Sequence, residues 1–154
     1  MNGIALTLRA LHHGEKHLAG ELLAVADRHR DEHEVHHVAT DLAGWSQEHA
    51  GLLAGTAYNR GLDLGAVPVP VPVPEGAAGT EAEPGLLLLR DLRALHLAGV
   101  ENSLHWEMLA QAAQATKDEA LLALASRCHP QTLRQMRWTN TMIKVISPQV
   151  LTSL

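Results

Sequence analysis

The chain has 154 residues, a formal charge of −5 and 46% hydrophobic residues. That is enough for one domain with a sizeable core, too little for two ordinary ones, and too apolar for a disordered segment. No basic cluster is present to grip a phosphate backbone, Phe is absent and Tyr occurs once, so nucleic acid is not an expected partner.

No apolar run approaches the ~20 residues of a membrane span, so a membrane is not an expected partner either. The stretch Met1-Asn2-Gly3-Ile4 lacks the basic and apolar regions of a signal peptide. Cys128 is the sole cysteine, which rules out an intrachain disulfide and fits a reducing compartment. The expected location is the cytoplasm. Cys128 itself reads as a small, inert core residue.

The spacing predicts a first helix over about 4–29. Its stripe is Ile4, Leu8, Leu11, Glu15, Leu18, Leu22, Val25 and His29, in steps of four and three. Only Glu15 interrupts its middle. A second helix is predicted over about 32–60, opened by the capping pattern Asp31-x-x-Glu34. Its stripe is Val35, Val38, Leu42, Trp45, His49 and Leu52. The short connection makes these two helices antiparallel neighbours.

Residues 61–85 follow as a connection. Within it, Val-Pro repeats four times over 67–74, which forbids helix and central strand and favours polyproline II. At ~3.1 Å per residue such a connection is long enough to run the length of a bundle. Each flank has only two helices, too little for a separate domain, so a crossover is preferred to a linker. A third helix is predicted over about 86–115, with Leu88, Leu92, Leu95, Ala98, Asn102, Trp106 and Leu109 inward and His105 on the flank. Thr116-Lys-Asp-Glu119 resembles another capping box and opens a fourth helix over about 117–146. Its stripe is Leu121, Leu122, Ala125, His129, Met136 and Ile143, with Pro130 expected to kink the helix or break it in two. Trp138 falls outside this stripe and hints at a subunit contact.

The expected fold is therefore all-α: a single four-helix bundle with a long Pro-rich crossover between the second and third helices. The first turn, near residues 30–31, sets Glu15 opposite about residue 46, within one turn of His49. The turn near Thr116 sets His129 opposite about residue 103, between Glu101 and His105. With the crossover, Glu15, His49, Asn102, His105 and His129 all fall near one level of the bundle. Burying such groups without partners is costly, so they form either a satisfied network or a site.

The long crossover, the paired helices and the inward acids and imidazoles resemble the ferritin-like superfamily. In that superfamily a Glu from each of two helices and a Glu-x-x-His from each of the other two hold a di-metal centre. Glu15 takes the place of the first-helix Glu, His49 stands near the second-helix His, Glu101 or His105 takes the third-helix position and His129 the fourth. No Glu stands three residues before His49, and Ser126 stands three before His129. The resemblance implies a mixed nitrogen and oxygen metal site built from Glu15, His49, Glu101, His105 and His129. Iron is the metal it implies, with zinc or manganese as alternatives and oxidative-stress chemistry as a consequence. It also implies a homodimer.

A second reading needs no metal. Glu15 and the histidines then form a buried network that sets helix register, and the protein acts by interaction or assembly. A third reading is a pH switch, with His29, His33 and His36 exposed at one end of the bundle. Of the 11 histidines, His13, His17, His36 and His37 point away from the stripes and read as solvated surface groups.

Overall fold

The computed structural model describes residues 2–65 and 83–153. They form four helices: α1 (Gly3–Arg28), α2 (His33–Asn59), α3 (Pro84–Ala115) and α4 (Glu119–Thr152). The described residues contain no strand, and none of their helices is long and apolar enough to cross a membrane. The Val-Pro run at 67–74 lies outside the described residues.

The helix ends follow local chemistry. The Asn2 side chain accepts from Ala5 N at 2.8 Å and caps α1. Glu83 caps α3, and Pro84 sits in its first turn, where a missing N–H costs nothing. The two expected capping boxes do not form as spelled. Glu32 is the N-cap of α2 and makes no side-chain cap bond. Asp118, not Thr116, caps α4 by accepting from Leu121 N. Thr116 instead closes α3, and Lys117 takes φ 56° to turn the chain. α4 runs unbroken through Pro130 and Pro148 and extends past the expected end.

The core is two apolar clusters. One joins Leu22 and Val25 of α1, Val35 and Leu42 of α2, Leu88 and Leu92 of α3, and Met142 of α4. The other joins Leu8 and Leu11, Leu53, Trp106 and Leu109, and Leu121 and Leu124. Each cluster thus collects the end of one helix and the start of its neighbour. α2 and α3 run parallel, and the connection between them has its ends at opposite ends of the bundle, as the crossover requires. α1 packs on α2 and α3, and α4 packs on α3 with a lighter contact to α2.

The buried face of α4 differs from the expected stripe. It carries Leu121, Leu124, Ala125, Cys128, Thr132, Gln135, Thr139 and Met142. The helix is rotated by about one residue, which brings Cys128 inward and leaves His129 half-buried. Two polar residues, Gln135 and Thr139, tie this face to other helices. Gln135 Nε2 donates to Ser46 Oγ at 2.9 Å and to the Leu42 carbonyl at 3.0 Å. Thr139 Oγ1 pairs with His96 Nδ1 at 2.8 Å, and Thr132 Oγ1 donates to the Cys128 carbonyl. Trp138 packs against the first apolar cluster and is half-buried, so it is not the outward group expected.

One end of the bundle is tied by Asp91, which is 3% exposed. Its carboxylate accepts from Arg28 Nε at 3.1 Å, pairs with His29 Nε2 at 2.7 Å and meets Arg90 at 3.0 Å. His29 is therefore buried against the Asp91 carboxylate, not exposed as the switch reading expects. Burial alone raises the Asp91 pKa, but the bonds from Arg28, His29 and Arg90 outweigh it and hold the carboxyl below its ordinary 3.8. A depressed carboxyl stabilises the fold above its unfolded pKa and loses that contribution as pH falls through the folded value. Asp91→Asn should accordingly cost about 1–3 kcal/mol in urea unfolding at pH 7. The gap from the parent protein should close as pH drops below 3.8.

Candidate functional site

Between the two apolar clusters lies a polar layer drawn from all four helices. Glu15 of α1 and His49 of α2 are both fully buried, as the apolar residues around them on each stripe require. Glu15 Oε2 takes a short hydrogen bond from His49 Nδ1. Glu15 Oε1 accepts from Asn102 Nδ2 of α3 at 2.9 Å. His49 Nε2 meets Gln131 Oε1 of α4 at 2.7 Å. The Trp106 ring stands edge-on to His49, with centroids 6.0 Å apart and planes at 82°.

This arrangement bears on protonation. Both ring nitrogens of His49 face oxygen atoms, of Glu15 and Gln131, an arrangement that favours the protonated ring beside a carboxylate. Burial pushes the Glu15 carboxyl up, against the His49 and Asn102 bonds. Burial also works against a charged His49, but the bond and charge of Glu15 prevail and raise its pKa above 6.5. The pair therefore holds its shared proton to higher pH than a free imidazole does.

Gly14 makes the layer possible. A Cβ there would stand 2.1 Å from Asn102 Oδ1, so only glycine lets the amide lie against α1 and reach Glu15. Cys128 is buried below the layer. Burial, reinforced by the nearby Glu15 charge, pushes its thiol up to about 12. It is an inert thiol, as the sequence suggests.

The five expected ligands do not form one centre. Glu15 and His49 are together. His129 lies on the α3–α4 side, paired with Ser103 Oγ at 2.8 Å. Glu101 is exposed, and with half-buried His105 it lines a cleft between α1 and α3. Among the described residues no three His, Cys, Asp or Glu side chains are grouped to hold a metal ion. The core donor set does not fit a di-metal centre, because it offers one carboxylate and one imidazole, and its other partners are amides. Each of those groups is already engaged in a hydrogen bond within the layer.

Sequence periodicity finds Glu15, His49 and Asn102, and misses Gln131, Ser46 and Gln135. Ser46 stands four residues after Leu42 and seven before Leu53, a spacing that marks it as inward. Gln131 carries no such mark, since it lies off the apolar stripe and reaches His49 with a long side chain. No family model, curated protein or solved structure matches this chain.

Two measurements check the layer. Gly14→Ala should destabilise the fold by about 1–3 kcal/mol in urea unfolding, by driving Asn102 off a buried carboxylate. Gly51→Ala, whose Cβ meets nothing, should stabilise by about 0.5–1 kcal/mol. A raised imidazole pKa stabilises below the unfolded value and loses that contribution as pH rises through the folded one. The parent melting temperature should therefore fall as pH rises above 6.5, relative to Glu15→Gln, in which that component of the slope is absent.

Proposed function

We propose that this chain is a non-enzymatic helical bundle that acts by assembly, with its buried polar layer as a register lock. The observation that supports the reading is that both oxygens of Glu15 are engaged, one by His49 and the other by Asn102. His49 is likewise bonded on both ring nitrogens. Both oxygens of Glu15 and both ring nitrogens of His49 are thus engaged, so a metal or substrate would have to displace a bond of the layer to reach them.

The working surface is then outside the core. Leu97, Leu104 and Met108 are 67%, 56% and 56% exposed and share one face of α3. Their spacing of seven and four is that of a helix seam. The occupant is a second copy of the chain. An antiparallel copy sets Leu97 of one α3 against Leu104 of the other and brings Arg93 beside Glu107, so the face is complementary to itself. The lone, buried Cys128 accords with a cytoplasmic setting.

Sedimentation velocity tests this directly. The parent chain should sediment as a dimer at micromolar concentration, and Leu97→Glu/Leu104→Glu as a folded monomer. A parent that stays monomeric at all concentrations would remove self-assembly as its function.

A further inference from the structure

The outward seam of α3 is longer than its three largest side chains. Leu86, Arg93, Leu97, Leu104, Met108 and Ala115 are all exposed and follow one another in steps of seven and four. The antiparallel register that sets Leu97 against Leu104 of a second copy also sets Arg93 against Met108 and Leu86 against Ala115. Every position of the seam thus faces another position of the seam. Leu97, Leu104 and Met108 alone cover about 17 Å of helix, whereas a stable interface buries ~1,000 Å² or more in total. The full seam, from Leu86 to Ala115, is about 43 Å long.

At the Ala115 end the seam opens into a groove. It has a volume of about 530 Å³ and is lined chiefly by Ile4 and Thr7 of α1 and by Met108, Leu109, Ala112 and Ala115 of α3. The Glu15–Asn102 bond holds α1 and α3 in the antiparallel pairing that places the start of one beside the end of the other. At the opposite end of the seam, Leu86 is 38% exposed in the first turn of α3. It offers a knob where Ala115 leaves a hole. The charges match in the same register. Glu83, the N-cap of α3, comes level with Lys117, just past its end, as Arg93 does with Glu107, and all four are exposed.

We propose that this groove receives the first turn of α3 from a second copy, with Leu86 inserted against Ala112 and Ala115. The inference rests on the self-assembly proposed above and adds its register and extent. The twofold relation makes two such insertions per dimer, one at each end of the seam. Apolar contact then runs the length of α3, and α1 joins the interface through Ile4 and Thr7. Parallel pairing is the poorer fit. It would set Ala115 against Ala115, leave the groove open and bring Lys117 beside Lys117.

Disulfide trapping tests the register. Within one chain, positions 86 and 115 are about 43 Å apart, and a disulfide needs Cα atoms within ~7 Å. Leu86→Cys/Ala115→Cys can therefore join these positions only between copies. Oxidised with glutathione at micromolar concentration, it should run as a covalent dimer on non-reducing gels. Leu86→Cys alone and Ala115→Cys alone should not cross-link, nor should the parent, whose Cys128 is buried. In sedimentation, Leu86→Ala should weaken the dimer roughly tenfold or more, because two insertions are lost together. Leu23→Ala, in the groove between α1 and α2, should leave it unchanged. The parent could prove a dimer that Leu97→Glu/Leu104→Glu dissolves, while Leu86→Cys/Ala115→Cys forms no covalent dimer. The groove then has another occupant, and the inference falls while self-assembly stands. Cross-linking by Ala115→Cys alone would mean parallel pairing and overturns it equally. A parent that stays monomeric removes both readings.

Discussion

A carboxylate with no access to water sets the terms for this bundle. An unpaired buried charge costs far more than a domain's net stability can absorb, so Glu15 must keep its partners. Those partners come from different helices: His49 from α2, Asn102 from α3 and, through His49, Gln131 from α4. The apolar clusters on either side are built mostly from Leu, Val and Ala, whose contacts are non-directional. The layer is directional, and any slip strands a charge or an amide. Affinity between the helices is thus spread over the clusters, while their alignment is concentrated in a few bonds.

The fold was largely legible because its apolar stripes are long and regular. Glu15 and His49 stand out in α1 and α2 for the same reason: each is the one ionisable group in the middle of an apolar seam. The register of α4 was not legible, and the cause is specific. Its buried face carries Thr132, Gln135 and Thr139, each making a hydrogen bond that apolar periodicity cannot register. Counting only apolar residues rotates the helix by one position and trades Cys128 for His129. Asp91 was missed likewise, although it sits three residues after Leu88 and four before Leu95. Its burial rests on Arg28 and His29, more than 60 residues away in sequence.

Histidine, the compositional outlier of the chain, serves in distinct environments. His49 is locked between a carboxylate and an amide. His29 is a buried partner of Asp91. His13, His17 and His105 border an open cleft, and His33 and His37 lie side by side in solvent with their rings tilted. Residue type alone does not separate these roles. Helix angle and the identity of the facing residue do, and both depend on which helices become neighbours.

The parallel run of α2 and α3 has a consequence for how the molecule is made. α1 with α2, and α3 with α4, are helical hairpins closed by turns of a few residues, and such local contacts form early and cheaply. The bonds that knit the hairpins together span 87 residues from Glu15 to Asn102 and 82 from His49 to Gln131. Until the second hairpin docks, Glu15 and His49 have only each other. A newly emerging chain therefore carries a half-finished core with its charged pair uncovered until α3 and α4 have followed and docked.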